Sequence, residues 1–79
     1  MHTYHYRIAQ SATLLQTRLK AYRQARGVTQ AFVATAIGIE KKQIHQYETG
    51  KLFPGMRTLI KLCEFYQTTP NYLLGFKEQ

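Results

Sequence analysis

The sequence predicts an all-α fold in which five short helices form one compact domain. Apolar residues recur at helical spacing, as at Leu15 and Leu19, and such stretches are bounded by capping residues or by glycines that can adopt a positive φ. A length of 79 residues suits a single domain, and a hydrophobic fraction of 44% argues against disorder. We expect a domain at residues 13–76, an N-terminal extension, arm or disordered segment at residues 1–12, and a tail at residues 77–79.

The stretch Thr29–Glu48 predicts two helices joined by a tight turn. Thr29 is a suitable N-cap, Gly38 suits the turn, and the following helix begins near Glu40. Two short helices joined by a glycine turn, with basic and amide side chains on the second, are typical of a helix-turn-helix motif. The residues expected to face inward are Val33, Ala34, Ile37, Ile44 and Tyr47, and those expected to face outward are Lys41, Lys42, Gln43 and Gln46.

Three further helices are predicted from apolar stripes and end signals. The first runs from about Ala12 to Ala25, the fourth from about Met56 to Tyr66, and the fifth follows Thr69 as its cap, with Pro70 at its first position. We expect Phe53, in the loop before the fourth helix, to lie in the core. The inward residues of these helices are predicted to be Leu15, Leu19, Tyr22, Met56, Leu59, Leu62, Cys63, Tyr66, Leu73 and Leu74.

Charge is the most informative bulk property. Eleven Lys and Arg against four Asp and Glu give a net charge of +7, which points to nucleic acid, an anionic membrane or simple solubility as its explanation. Several short helices that need each other for burial argue against a membrane-surface helix, and no apolar run suits a bilayer span or a signal peptide. A lone cysteine, Cys63, fits a reducing cytoplasm and is expected to be a small buried side chain.

A pattern of glycine, proline and apolar positions extends through most of the chain. It covers about residues 14–75 and resembles the lambda-repressor-like, Cro-type (xenobiotic-response-element) family of helix-turn-helix DNA-binding proteins. The resemblance implies a compact five-helix domain with the motif at helices 2 and 3. The positions that carry it are Arg23, Gly27, Val28, Thr29, Gln30, Ala34, Ile37, Gly38, Ile39, Ile44, Tyr47, Glu48, Gly50 and Pro54.

The same resemblance implies a function. Members of this family bind double-stranded DNA sequence-specifically, usually as a homodimer on a palindromic operator. A cytoplasmic, nucleoid-associated regulator of bacterial, phage or mobile-element origin is therefore expected. Helix three lies in the major groove in this family.

The resemblance assigns base contacts to Lys41, Lys42 and Gln46 on helix three. Their chemistry agrees, because lysine can donate to guanine O6 and N7 and glutamine can pair with adenine N6 and N7. The alternative is that both lysines only keep an exposed face soluble. Gln43 and His45 are further candidates for a contact to a base or a phosphate.

Phosphate contacts are expected from residues at the ends of the motif. Gln30 matches the family position that bonds a phosphate, and it could also brace the first side chain of helix three. Arg26, Thr49 and Lys51 are the other candidates. The alternative for Thr49 is a structural role as a C-terminal cap. The alternative for Arg26 is that it belongs to a solvated basic face of the first helix.

Arg23 and Glu48 match a pair that forms an internal salt bridge in this family, so their expected role is structural. Removing one partner would leave a partly buried charge uncompensated, at a cost of about 3 kcal/mol. Glu40 departs from the family pattern, which prefers Ser, Thr or Asp as the cap of helix three. Glutamate caps less well, although its charge suits the positive end of a helix.

The N-terminal segment lies outside the family pattern. Tyr4, Tyr6 and Ile8 alternate with polar residues, which is a strand-like period. The segment could be a frayed terminus or packing extension, or an arm that pairs with a partner subunit or lies on DNA. His2 and His5 have no carboxylate or thiolate nearby, so we expect no metal site, and nothing in the sequence implies a cofactor.

The leading hypothesis is a transcriptional regulator, expected to be a repressor that acts by occupying its operator. The alternative is an antitoxin or accessory protein whose main role is to bind a protein partner, with autoregulatory DNA binding. Its contact surface would be the N-terminal segment or the end at Leu73–Phe76. No nucleophile–base arrangement or paired carboxylates are recognisable, so an enzyme is not expected.

Overall fold

The computed structural model describes residues 3–76, with side chains from Arg7 onward. The predicted tail at residues 77–79 and His2 lie outside the described residues, as do the side chains of residues 3–6. Among the described residues, no helix is long and apolar enough to cross a membrane. The five helices are α1 (Thr3–Ala25), α2 (Gln30–Ile37), α3 (Lys41–Thr49), α4 (Met56–Tyr66) and α5 (Pro70–Leu74).

The ends of α2 and α5 follow from local hydrogen bonds that the sequence predicts. The Thr29 hydroxyl accepts from the amide of Phe32 at 3.0 Å, and the Thr69 hydroxyl accepts from the amide of Tyr72 at 3.0 Å. Each bond satisfies an amide that has no partner within its own helix. Gly38 ends α2 at φ 79°, a conformation that costs glycine little. The predictions for α2 to α5 are therefore confirmed to within one residue.

The N-terminal segment differs from the prediction. Residues 3–12 continue α1, which begins at Thr3 rather than near Ala12, so the strand-like interpretation is wrong. Two contacts with the far end of the chain hold the described part of this segment. The Ser11 hydroxyl donates to the Leu74 carbonyl at 2.7 Å, and the Arg7 guanidinium lies 4.7 Å from the centre of the Phe76 ring. These contacts pack residues 7–11 of α1 against residues 74–76.

The core lies between α1 on one side and α2, α3 and α4 on the other, with α5 closing one end. Burial of one large apolar side chain contributes about 1.5–3 kcal/mol, so this cluster is the main source of stability. Burial raises the pKa of the Cys63 thiol, which keeps it neutral and confirms its expected place in the core. The buried apolar residues are Leu15, Leu19, Val33, Ala34, Ile37, Ile44, Tyr47, Leu62, Cys63, Tyr66 and Leu73.

Two predicted core residues are exposed. Phe53 is 54% exposed and Met56 is 75% exposed. Phe53 lies in the loop between α3 and α4, and Met56 is the first residue of α4, directly after the N-cap Gly55. The helical period of α4 placed Met56 inward, but its first turn projects beyond the core that the other helices form. These two side chains therefore remain available to contact something else.

Candidate nucleic-acid interface

The helix α3 packs against the core through one face and exposes the other. Ile44, Tyr47 and Glu48 are buried, and by helical phase Lys42 and Gln46 lie on the opposite side. The burial pattern thus separates a structural face from an accessible one within nine residues.

An ion pair between α1 and α3 fixes the orientation of α3. The Arg23 Nε donates to Glu48 Oε2 at 2.7 Å and the Arg23 Nη2 donates to Glu48 Oε1 at 3.0 Å. The Arg23 Nη1 also donates to the Val28 carbonyl at 2.9 Å, which ties the turn before α2 to the same group. The hydrogen bonds to Glu48 raise the pKa of Arg23, while burial acts in the opposite direction. The salt bridge expected between these residues is therefore present.

Gln30 joins this network from the first position of α2. Its Nε2 donates to Glu48 Oε1 at 3.1 Å and lies 3.5 Å from His45 Nδ1. The expected brace from Gln30 to the first side chain of α3 does not occur, because the amide reaches residues one and two turns further along. Sequence reasoning missed this contact, since Gln30 and Glu48 are 18 residues apart. The buried carboxylate of Glu48 thus links α1, α2 and α3.

The two ends of α3 are capped in different ways. At the N-terminus, the Glu40 amide donates to Gln43 Oε1 at 3.0 Å, one half of a capping box. At the C-terminus, Gly50 adopts φ 78° and a Cβ there would lie 2.0 Å from Gln16 Oε1. The backbone angle favours glycine there, whereas the Gln16 amide is the end of a flexible side chain that can move aside.

The predicted base-contacting residues differ in exposure. Lys41, Lys42 and His45 are exposed, whereas Gln43 and Gln46 are half-buried. The Oε1 atom of Gln43 accepts from the Glu40 amide, which holds this side chain at the start of α3 and leaves its N–H groups to donate. Within this set, Gln46 is the glutamine whose side chain is not engaged in a capping contact. The accessible face of α3 therefore presents the two lysine ammonium groups, the His45 imidazole and the Gln46 amide.

Two of the predicted phosphate-contacting residues have other partners in the fold. The Arg26 Nη1 donates to the Phe65 carbonyl at 3.1 Å and the Arg26 Nη2 donates to the Tyr66 carbonyl at 3.0 Å. A cation there suits the negative end of α4. The Thr49 hydroxyl donates to the His45 carbonyl at 2.9 Å. This bond agrees with the alternative role of Thr49 as a C-terminal cap of α3.

Comparison with protein families gives a match over most of the chain. A family described as helix-turn-helix domain matches residues 14–73. The chain is 38% identical over 64 residues to the HTH-type transcriptional regulator ImmR of Bacillus subtilis, covering 81% of this chain and 50% of that protein. It is 35% identical over 57 residues to the SPbeta prophage-derived uncharacterized HTH-type transcriptional regulator YonR of the same organism, covering 72% of this chain and 53% of that protein. The chain thus spans about half the length of these relatives.

A solved structure shares the arrangement of helices. The crystal structure of the P22 c2 repressor protein in complex with synthetic operator 9T aligns with a TM-score of 0.75 and 27% identity. The alignment covers 80% of this chain and 96% of that chain, and so includes most of the five-helix fold. The family match spans α2, α3 and α4 together with about half of α1 and most of α5. The chain belongs to the helix-turn-helix domain family.

Proposed function

We propose that this chain binds double-stranded DNA sequence-specifically and regulates transcription, acting as a repressor by operator occupancy in a bacterial cytoplasm. The observation that carries this proposal is the two-faced character of α3. Its buried face is held by the Arg23–Glu48 ion pair, and its other face offers Lys41, Lys42 and Gln46 to a ligand. The similarity to a repressor that binds a synthetic operator supports it, as does the net charge of +7.

In this mechanism α3 enters the major groove and contacts base edges. Lys42 and Gln46 lie one turn apart on the outermost stripe of the helix, so their side chains contact neighbouring base pairs. Lys41, in the first turn of α3, contacts an adjacent base. Gln43 and His45 flank this stripe and contact a base or a phosphate.

Phosphate contacts position the domain without specifying sequence. We assign them chiefly to Lys51, which is exposed just beyond α3, and to Gln30 at the start of α2. The amide of Gln30 donates one N–H to Glu48, and its second N–H is the donor that we assign to a phosphate. Arg26 and Thr49 are assigned mainly to the fold, because their donors bind carbonyl oxygens.

Two copies on a palindromic operator would place two α3 helices about 34 Å apart on one face of the duplex. With about six to eight phosphate contacts per dimer, affinity should fall by roughly three to four orders of magnitude between 50 and 200 mM salt. An affinity independent of salt would contradict the electrostatic part of the proposal.

The direct test is selection of duplexes from a random-sequence library, followed by sequencing of the bound fraction. We expect enrichment of one inverted repeat with half-sites about one helical turn apart. The control is the double variant Lys42→Ala/Gln46→Ala, which should retain weak binding and enrich no sequence. Equal recovery of all sequences by the unmodified chain would refute sequence-specific binding.

A second candidate function is that of an antitoxin or accessory protein that mainly binds another protein. The exposed apolar side chains Phe32, Phe53 and Phe76 favour it, since apolar surface of this kind marks interaction sites. Leu73 does not contribute to such a surface, because it is completely buried. This candidate would be favoured if a defined partner co-purified with the chain and if substitution of Phe32, Phe53 and Phe76 abolished the co-purification.

A further inference from the structure

An apolar groove lies between α1, the α3–α4 loop and the end of α5. It has a volume of about 340 Å³, at the small end of the range of ligand sites, and Leu15, Leu59 and Leu74 contribute to its lining. Its walls include Ile8 and Phe53, which are 68% and 54% exposed. None of the described residues that line it belongs to α3. The groove is therefore a candidate binding site separate from the accessible face of α3.

A second, more polar hollow adjoins this groove. It has a volume of about 560 Å³ and shares Arg7, Leu74 and Phe76 with the lining of the groove. Gln10, an exposed residue of α1, adds an amide to the lining of this hollow. Arg7 thus lies where the apolar groove meets the polar hollow. A ligand that fits this place is amphipathic, with an apolar chain in the groove and a polar head beside Arg7.

The polar groups at this junction determine which head they can bind. The Arg7 guanidinium lies 4.7 Å from the centre of the Phe76 ring, and its N–H groups make no hydrogen bond to another described residue. The Leu74 carbonyl, an acceptor beside it, is already paired with the Ser11 hydroxyl at 2.7 Å. No Asp or Glu is among the described residues that line the groove or the hollow. The groups left free are N–H donors on a cation, which fit a carboxylate.

We propose that this groove binds a small amphipathic carboxylate, with its aliphatic chain against Ile8, Phe53 and Leu59 and its head on Arg7. Removal of the chain from water supplies most of the affinity, and Arg7 favours an anionic head over a neutral one. The small volume suits a single chain of medium length rather than a lipid with two chains. The site is independent of the proposed DNA-binding function, because no residue that we assign to DNA lines it.

The test is a titration of the isotope-labelled chain with octanoate, followed by heteronuclear NMR in the absence of DNA. Octanol, which has the same chain length and no charge, is the matched neutral probe. We expect saturable shifts of the amide signals of Ser11, Leu59 and Leu74, which line the groove. Octanoate should bind about threefold to tenfold more tightly than octanol, since a partly exposed arginine contributes modestly to the binding of a carboxylate.

Two variants separate the head from the chain. Arg7→Gln should abolish the preference for octanoate, whereas Lys20→Gln should retain it, because Lys20 is exposed on the same helix and lines neither the groove nor the hollow. Phe53→Ala should weaken both probes by roughly threefold to tenfold, since it removes an apolar wall. Phe32→Ala is its control, because Phe32 is 56% exposed and lies outside the groove.

Each outcome decides the proposal. Amide signals that octanoate leaves unmoved would overturn it, and this result is also expected if a protein surface fills the groove in solution. Equal affinities of octanoate and octanol for the unmodified chain, or an unchanged preference in Arg7→Gln, would overturn it as well. Far-UV circular dichroism establishes that the variants are folded, which is expected because Arg7 and Phe53 are exposed. Failure of the chain to enrich any duplex would refute the DNA-binding function alone, since this titration requires no DNA.

Discussion

The substitution Glu48→Gln should destabilise the fold by about 2–3 kcal/mol. It preserves the shape of a side chain that is 3% exposed but removes the charge that pairs with Arg23, which is 15% exposed. Breaking a fully buried ion pair costs about 3–5 kcal/mol. The partial exposure of Arg23 and its remaining bond to the Val28 carbonyl reduce this cost. The glutamine can also keep one acceptor for the guanidinium, so one of the two hydrogen bonds survives.

The assay is urea denaturation followed by circular dichroism, with a thermal scan as a second measurement. For a domain of this size, a loss of 2–3 kcal/mol corresponds to a fall in Tm of about 10–20 °C. Glu64→Gln is the control, because Glu64 is an exposed carboxylate on α4. It should change the free energy of unfolding by no more than about 0.5 kcal/mol. If Glu48→Gln behaves like this control, the ion pair does not stabilise α3 and the reasoning is wrong.

Two further predictions concern DNA contacts and pH. Gln46→Ala should relax discrimination at one base pair by about 1–3 kcal/mol, whereas Lys51→Ala should weaken binding to all sequences alike. Competition binding with single-base variants of the enriched duplex separates the two, and an equal loss on all sequences for Gln46→Ala would contradict its role. Burial, followed by the charge of Glu48, raises the pKa of Tyr66 to about 12. The ordinary pKa of a tyrosine is about 10, so the folded state holds the phenolic proton more tightly than the unfolded state does. Below pH 10 the phenol is protonated in both states, and its titration does not change the free energy of unfolding. That free energy should fall by about 2–3 kcal/mol as the pH rises from 10 to 12, and Tyr66→Phe should reduce this fall in alkaline urea titrations.

The helix ends and most of the core could be predicted from the sequence because they depend on neighbouring residues. Thr29 and Thr69 accept from amides three residues away, and Gly38 adopts the αL conformation that its position requires. The apolar period likewise placed Val33 and Ile44 correctly inward. Such features lie within one or two helical turns, so the local sequence contains the information that determines them.

The accessible face of α3 was predictable in outline for the same reason. Ile44 and Tyr47 define the buried side, which leaves Lys42 and Gln46 outward by helical phase. The roles of these outward residues toward DNA remain predictions. The resemblance to a family supplied the pairing of Arg23 with Glu48, since a separation of 25 residues gives no local signal.

Tertiary structure alone decided the remaining features. Residues 3–12 are helical where the alternating pattern suggested a strand. Ser11 and Arg7 in this stretch contact Leu74 and Phe76, more than 60 residues further along the chain. Phe53 is exposed because the loop that carries it lies at the edge of the core rather than over it.

From residue 12 onward the sequence by itself thus determined which segments are helices and, apart from Met56, which side of each is apolar. Both features depend on short-range hydrogen bonds and on helical period. Tertiary structure decided which polar groups remain free for a ligand. Arg26 shows the difference: its position suggested a phosphate contact, but its donors bind the last carbonyls of α4. The physical reason is that a long side chain takes whichever partner the packing of distant helices brings within hydrogen-bond distance.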